Sequence, residues 1–238
     1  MKQYQEQLGK LHTGFAEKKP EEILEWALGT YMPDLALACS FGAEDMVLLE
    51  MMMKLNKEVP VFFLDTSFHF SETYEIKRMA EKRYGITIEA VAASFTLEEQ
   101  EKHYGKDLWN TNPELCCQLR KVDPLTHRLS GLRAWITGIR REQSITRQNA
   151  RIVEWDYKFR LTKINPLVMW SEKEVWYYIN QHRIPYHSLH DHNYPSIGCA
   201  PCTSPIEEGE DRRSGRWRGL MKTECGLHGW GDKNGPTS

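Results

Sequence analysis

The chain has 238 residues, of which 40% are hydrophobic and 27% charged, and its formal net charge is −2. This length provides one large domain whose core needs no disulfides. The near-neutral charge argues against a protein that binds nucleic acid through bulk electrostatics. No apolar run reaches the ~18 residues of a membrane span, and the polar N-terminus lacks the apolar segment of a secretory signal. We therefore expect a cytoplasmic protein that binds neither membranes nor nucleic acid, with cysteines that act as ligands, nucleophiles or buried thiols.

Strand-like and helix-like segments alternate through the first half of the chain. The predicted strands are 35–39, 59–64, 86–91 and 133–139, with predicted helices at 44–55 and 71–84, and a capping box at 171–174 opens a helix that ends near 182. Buried strands alternating with helices are typical of a parallel sheet in an α/β fold. We divide the chain into an N-terminal helical segment (1–30), a nucleotide-binding α/β domain (31–198) and an irregular C-terminal segment (199–238) that ends in a mobile tail.

Two loops follow predicted strands, at the edge where an open parallel sheet binds its ligands. Ser40, Phe41 and Gly42 lie between a strand and a helix, where a turn directs backbone N–H groups at an anion. Asp65 and Thr66 follow the second strand and can present polar groups to a nucleoside. Each loop alone is equally well explained as an ordinary turn or helix cap.

Arginines dominate a third loop and recur near the C-terminus. Arg140 and Arg141 follow the fourth predicted strand, and guanidinium groups are suited to bidentate binding of phosphate or sulfate. Arg213 and Arg216 add anion-binding capacity, although by themselves they are typical of surface charges. Three such loops at corresponding strand ends predict a site for phosphate and nucleotide groups.

Four cysteines form two close pairs, Cys116 with Cys117 and Cys199 with Cys202. Thiolates bind zinc or iron–sulfur clusters. Adjacent cysteines suit zinc poorly, because neighbouring side chains point apart, whereas a cubane cluster offers each thiolate a separate iron. The pairs therefore favour an iron–sulfur cluster. Cys39 lies in an apolar strand and is expected to be a buried structural thiol.

Cys225 remains as a lone thiol in the polar C-terminal segment. His228 follows three residues later and can lower the thiol pKa or help to position the thiol. A lone thiol beside a metal site indicates sulfur chemistry, and the alternative is an exposed tail cysteine without a role.

Taken together, these segments resemble the adenylyl-sulfate/phosphoadenylyl-sulfate reductase family of assimilatory sulfate reduction. The segments that carry the resemblance are 40–45, 64–66, 72–74, 116–122, 137–141, 199–202 and 224–228. The resemblance implies a parallel-sheet adenine-nucleotide α-hydrolase-like (PP-loop) fold with helices on both faces. The Ser40-Phe41-Gly42 loop departs from the Ser-Gly-Gly form of the related ATP enzymes, which favours binding a sulfated nucleotide over cleaving ATP.

The resemblance also implies a cofactor and a substrate. Family members with both cysteine pairs carry a [4Fe-4S] cluster and usually use adenosine 5′-phosphosulfate (APS), whereas members without them use the 3′-phosphorylated form (PAPS). Both pairs are present here, so the APS type is implied, with PAPS or dual use left open. In the implied mechanism, the Cys225 thiolate attacks the sulfur of APS and AMP leaves. Reduced thioredoxin or glutaredoxin then releases sulfite from the cysteine S-sulfonate, in the service of cysteine biosynthesis.

This chemistry brings a thiolate to a group that is already anionic. The cations assigned to the substrate oxygens are Arg140, Arg141, Arg213, Arg216 and Lys121. Lys121 lies four residues after Cys117 and can therefore touch both cluster and substrate. We count Lys121, His228 and Cys225 as the catalytic residues, and the sequence leaves a homo-oligomer open.

Two other functions explain parts of the sequence. An ATP-dependent PP-loop enzyme that thiolates RNA would account for the fold and the cysteines. The Ser40-Phe41-Gly42 loop, the near-neutral charge and the lack of an evident RNA-binding region argue against it. A metal-stabilised redox sensor would leave Cys225 inert toward sulfonucleotides.

Overall fold

A six-stranded sheet forms the centre of the computed structural model, which describes residues 2–228. The strands are β1 (Leu35–Ala38), β2 (Val61–Asp65), β3 (Glu89–Ala92), β4 (Ala134–Ile136), β5 (Val153–Asp156) and β6 (Leu161–Ile164). They lie in the order β3-β2-β1-β4-β6-β5, and all neighbours are parallel except the antiparallel pair of β5 and β6. The predicted parallel α/β sheet is confirmed, with an antiparallel edge strand, β5, and a further strand, β6, that the sequence analysis did not identify.

Helices surround this sheet. They are α1 (Lys2–Gly14), α2 (Pro20–Tyr31), α3 (Ala43–Leu55), α4 (Ser71–Tyr84), α5 (Leu97–Tyr104), α6 (Leu108–Thr111), α7 (Pro113–Cys117), α8 (Asp123–Leu129) and α9 (Glu172–His182), with a π-helical turn at Gln118–Val122. The predicted helices correspond closely to α3, α4 and α9. Gly85 ends α4 in the left-handed conformation at φ 67°, and the Ser171 hydroxyl accepts a hydrogen bond from the Glu174 N–H at the start of α9.

Apolar side chains cover both faces of the sheet, because successive residues of a strand point to opposite sides. Leu35 and Leu37 of β1 belong to the larger core cluster, which includes Leu24 of α2 and most of α3. Ala36, between them, belongs to a second cluster with Leu125 of α8. The prediction of helices on both faces is therefore confirmed.

The two ends of the chain differ in how they are held. The N-terminal helices pack on the sheet, and the Tyr4 hydroxyl lies 2.6 Å from the Thr162 hydroxyl of β6. After residue 198 the described chain is irregular, with a short 3₁₀ turn at Ala200–Cys202. The last part of the predicted tail, 229–238, lies outside the described residues, and the division into three segments stays a prediction. Within residues 2–228, no helix has both the length and the apolarity to cross a bilayer.

Strand order creates a crevice in the middle of the sheet. The chain runs from β1 outward through β2 to β3, and β4 then lies on the other side of β1. In open α/β sheets, ligands bind where the order reverses, beyond the carboxyl ends of the strands. The crevice at the ends of β1 and β4 is therefore where a ligand-binding site is expected.

Candidate active site

A cavity of about 220 Å³ opens at this crevice. The predicted residues in its lining are Ser40, Gly42, Thr66, Lys121, Arg140, Arg213, Arg216, Cys225 and His228. Segments from the sheet, the π-helical turn and the C-terminal region thus meet around one space. Six of the nine residues named for substrate binding and the proposed nucleophile share that space.

The loop between β1 and α3 is held by a buried carboxylate. Asp45 accepts hydrogen bonds from the backbone N–H and the hydroxyl of Ser40, at 2.6 and 2.5 Å. Burial raises the pKa of Asp45 to about 6, against the opposing effect of these hydrogen bonds. A Cβ on Gly138, at the end of β4, would lie 2.2 Å from Asp45 Oδ1, so only glycine fits at this approach.

Two of the predicted binding residues make contacts that shape the loops. Phe41 has φ 63°, and its side chain is buried against Phe63, with ring centroids 5.4 Å apart. Asp65 Oδ1 accepts hydrogen bonds from the Ser67 N–H at 3.0 Å and the Tyr74 hydroxyl at 2.8 Å. Neither residue belongs to the cavity lining. Phe41 and Asp65 therefore shape the two loops, and their substrate contacts stay a prediction.

The adjacent arginines after β4 point to different places. Arg140 lines the cavity, but its guanidinium is buried in an ion pair with Glu44 at 2.8 Å. Arg141 donates from Nε to the Ala150 carbonyl at 2.8 Å and lies outside the cavity lining. The chain beyond β4 turns this second side chain away from the cavity, and its role in substrate binding stays a prediction.

Arg147 is a cavity residue that the sequence analysis did not select. It lies in a 3₁₀ turn, and its side chain donates to Glu224 from Nε at 2.9 Å and from Nη2 at 3.0 Å. Arg213 also donates to Glu224, at 3.1 Å. The sequence feature that could have identified Arg147 is its position in the same arginine-rich loop as Arg140.

Cys225 is a partly buried free thiol on the cavity wall. Burial opposes its ionisation, but the Lys121 ammonium and the Leu227 N–H outweigh burial, so the pKa of Cys225 lies below its ordinary value. Lys121 is itself buried and lies on the π-helical turn. A thiol beside a buried cation is the setting of a nucleophilic cysteine.

His228 lies flat against Trp135 of β4, with ring centroids 5.8 Å apart and an angle of 16° between the planes. Its Nδ1 is buried and has no hydrogen-bond partner among residues 2–228. Burial, and then Lys163, hold the pKa of His228 well below its ordinary value, so the imidazole is neutral. The charge that lowers the pKa of Cys225 comes from Lys121, while a substrate contact by His228 stays a prediction.

The four paired cysteines line a second, smaller cavity. Its lining also contains Phe68, Trp109, Pro113, Arg120, Lys121 and Trp217. All six cysteines fall in the described part of the chain, and none forms a disulfide there. Burial and the neighbouring thiols raise the pKa of Cys116 to about 12. Cys39 is buried at the end of β1, as predicted.

The four paired cysteines are the residues around this cavity that could hold a metal centre. Within residues 2–228, no three His, Cys, Asp or Glu side chains converge on a point where they would hold one metal ion. A cubane cluster binds each thiolate through a different iron, so its ligands stand farther apart than those of one ion. The four free thiols around one cavity could supply such a ligand set, and the cluster itself stays a prediction.

Comparison with known proteins places the chain in a family. A family model described as the phosphoadenosine phosphosulfate reductase domain matches residues 34–205. The chain is 51% identical over 208 residues to adenosine 5′-phosphosulfate reductase 2 of Bacillus subtilis, which covers 87% of this chain and 88% of the relative. The chain belongs to this reductase family. A second member, the adenosine 5′-phosphosulfate reductase of Shouchella clausii, is 49% identical over 220 residues, or 92% of this chain and 91% of the relative.

Solved structures agree with this membership. The phosphoadenylyl-sulfate reductase of Candida auris, solved as a phosphate complex, aligns with a TM-score of 0.74 at 33% identity, over 85% of this chain and 97% of that one. The FMN adenylyltransferase of Candida glabrata aligns with a TM-score of 0.58 at 13% identity, over 81% and 65%, and shares the fold alone. The predicted fold, the family and the enzyme class, an oxidoreductase acting on a sulfur group, are confirmed.

Proposed function

We propose that the chain reduces APS to sulfite and AMP through Cys225, with thioredoxin or glutaredoxin as the reductant. The observation that carries the proposal is a thiol of lowered pKa beside Lys121, on the wall of a cavity lined with arginines. The two most similar relatives reported above are named APS reductases, which supports APS over PAPS. Free thiols belong in a reducing compartment, which supports the cytoplasm as the site of sulfate assimilation.

In the first half-reaction, the Cys225 thiolate attacks the sulfur of APS. A sulfur–sulfur bond forms, and the bond from that sulfur to the bridging oxygen breaks. The electron pair of the broken bond leaves with AMP. The product is a cysteine S-sulfonate, so one difficult reduction is divided into two displacements.

Arg216 is the cation best placed to accept the anionic group. Its Nε is buried without a hydrogen-bond partner among the described residues. Its guanidinium lies over the Trp217 ring at 4.4 Å and donates to the Ile197 carbonyl at 3.4 Å. A buried donor without a partner costs free energy, and a phosphate or sulfate oxygen would satisfy it. Lys121, which lines both cavities, would face the same anion.

In the second half-reaction, a thiolate of the reductant attacks the Cys225 sulfur. Sulfite leaves with the electron pair of the sulfur–sulfur bond, and a mixed disulfide forms. The second thiol of the reductant breaks that disulfide and restores Cys225. The two electrons gained by sulfur therefore come from the dithiol.

The four cysteines Cys116, Cys117, Cys199 and Cys202 would hold the [4Fe-4S] cluster implied for the family. When bound, it would supply a charged, rigid neighbour to Lys121. Iron and acid-labile sulfide contents test this assignment, and Cys199→Ser is expected to lower both. Anaerobically purified protein with neither element would overturn it.

The function itself is tested by intact-protein mass after anaerobic incubation with APS, and separately with PAPS, without reductant. We expect a gain of one SO₃ unit with APS, absent in Cys225→Ser and released as sulfite by reduced thioredoxin. A mass gain with PAPS alone would change the assigned substrate from APS to PAPS. No gain with either nucleotide, from protein shown to hold its iron, would defeat the proposal. Turnover of ATP to AMP would then favour the ATP-dependent alternative.

A further inference from the structure

The carboxylate that precedes the nucleophile is unusually well bound. Glu224 accepts hydrogen bonds from Arg147, from Arg213 and from the Thr146 hydroxyl, the last at 2.9 Å. The Ser144 hydroxyl approaches the same carboxylate at 3.4 Å. Charge-assisted hydrogen bonds of this kind are about twice as strong as neutral ones.

Other contacts also hold the chain around Cys225: Arg213 donates to the Thr223 carbonyl at 2.9 Å, and His228 stacks on Trp135. The Lys158 ammonium donates to the Gly226 carbonyl at 2.8 Å, and Leu227 packs against the second core cluster. Among the described residues after 198, the buried apolar side chains are Cys199 and Trp217. Because few apolar side chains of this segment are buried, the charged hydrogen bonds on Glu224 contribute strongly to holding it against the cavity.

We propose that Glu224 is a positioning residue that docks Cys225 over the nucleotide cavity, through a clasp formed by Glu224, Arg147 and Arg213. Both arginines line the cavity, so the clasp fixes the thiol at the place where the nucleotide binds. Arg213 also acts electrostatically on Cys225 itself. The role in turnover rests on the proposed function, whereas the docking does not.

The same clasp gives a reason for the segment to open after the first half-reaction. The S-sulfonate on Cys225 carries one negative charge spread over three oxygens, which compete with the neighbouring Glu224 for Arg213 and Arg147. Once the clasp loosens, the modified sulfur becomes accessible to the reductant. Glu224 thus has opposite effects on the two half-reactions: it favours attack on the nucleotide and hinders release of sulfite.

The test compares the holoprotein with Glu224→Gln, which keeps the shape of the side chain and removes its charge. Alkylation of Cys225 by iodoacetamide, located by peptide mass, is followed to its plateau rate at high pH, where thiol ionisation no longer matters. We expect a plateau about tenfold higher in the variant, the change that ~1.4 kcal/mol of lost docking produces. Single-turnover S-sulfonation by APS should slow, and sulfite release from the S-sulfonated protein by reduced thioredoxin should accelerate.

Two further variants make the result specific. Glu210→Gln removes a carboxylate of the same segment that pairs with Arg218 at 2.8 Å, and it should leave all three rates unchanged. Glu224→Asp keeps the charge and should recover part of the S-sulfonation rate. An unchanged alkylation plateau in Glu224→Gln, or equal slowing of both half-reactions, would overturn the inference. If wild-type Cys225 is alkylated by iodoacetamide but is never S-sulfonated by APS, the proposed function is wrong. The alkylation comparison would still test the docking role of Glu224.

Discussion

At the scale of single residues, the absence of a side chain at Gly198 makes room for the guanidinium of Arg216. A Cβ on Gly198 would lie 2.2 Å from Arg216 Nη2 and 2.5 Å from its Cζ. The atoms that must move are the far end of a flexible side chain, so the guanidinium gives way and the backbone does not. The position of one cation therefore depends on the absence of one methyl group.

We predict that Gly198→Ala raises the KM for APS about tenfold or more, because it removes a charged hydrogen bond worth ~1.5–3 kcal/mol. The melting temperature should stay close to that of the wild type. Steady-state kinetics on Gly198→Ala, Arg216→Ala and the double variant check the cause. If the glycine acts through Arg216, its effect disappears when Arg216 is already alanine, and additive effects would refute the prediction.

Asp45 predicts a pH dependence of stability. A folded pKa of about 6 lies above the ~3.9 of an unfolded aspartate, so the protonated form is favoured in the folded state. The contribution of Asp45 to the free energy of unfolding is fully present below about pH 4 and is lost as pH rises through about 6. The difference of about two pH units corresponds to about 3 kcal/mol.

We expect Asp45→Asn to remove this share of the pH dependence, because an amide oxygen still accepts the hydrogen bonds of Ser40 but carries no charge. Urea unfolding of both proteins from pH 4 to pH 7 measures the difference. The stability of the wild type should fall relative to the variant across that range. Parallel curves would mean that Asp45 does not titrate there.

Residue chemistry was easier to predict from the sequence than side-chain direction. The cysteines and Lys121 were identified because their chemical types are rare in such spacings. Arg140 and Arg141 have the same chemistry, and only the backbone decides that Arg140 lines the cavity while Arg141 bonds to the Ala150 carbonyl. The left-handed φ of 63° at Phe41 turns its ring into the core, and the sequence carries no sign of that conformation.

At the scale of elements, the approach of β4 to α3 sets the geometry of the crevice. An added Cβ on Gly138 would meet not only the Asp45 carboxylate but also Glu44 Cβ at 3.0 Å and the Asp45 backbone N at 3.1 Å. The first turn of α3 would have to move away from the strand. The loop that carries Ser40 would move with it, since Asp45 holds that loop.

Gly138→Ala should therefore lower the free energy of unfolding by about 1–3 kcal/mol, the usual cost of overpacking. Gly29→Ala is the matched control. Its Cβ meets nothing within 4 Å in α2, and it should be neutral or stabilising by up to ~1 kcal/mol. Chemical denaturation of the three proteins gives the comparison, and a Gly138→Ala protein as stable as the control would contradict the packing argument.

Helices with caps or a long helical sequence pattern could be predicted from the sequence, whereas the short strands could not. The helices α3, α4 and α9 carry caps or a long helical pattern, and all were identified. Strands β5 and β6 have four residues each and mix charged with apolar side chains, so tertiary pairing decides their structure. The π-helical turn that buries Arg120 and Lys121 has no signature in the sequence.

At the scale of the whole molecule, two distant parts of the chain meet at the cysteines. The segment 113–122 and the segment 199–217 supply the lining of the smaller cavity, together with Phe68 and Trp109. The sheet has its own apolar clusters, whereas the C-terminal segment has few buried apolar side chains. The two regions should therefore lose structure under different conditions.

We predict that removal of iron by an anaerobic chelator exposes the C-terminal segment to proteolysis first. Trypsin should cleave within 199–228 at least tenfold faster than in the holoprotein, since loss of ~1.4 kcal/mol of local stability already gives that factor. The sheet domain should persist as a resistant fragment. Simultaneous loss of both regions would show that the cysteines stabilise the whole fold rather than one segment.

Because His228 stacks on Trp135, the fluorescence of Trp135 should report the position of the C-terminal segment. The indole is 1% exposed while the imidazole lies against it, and departure of the segment would let water reach a ring that is otherwise inside the sheet. Tryptophan emission moves to longer wavelength when water reaches the ring. A difference spectrum against Trp135→Phe would isolate this indole from the other tryptophans of the chain. The motion of the catalytic segment would then be recorded in real time by a chromophore that the protein already contains.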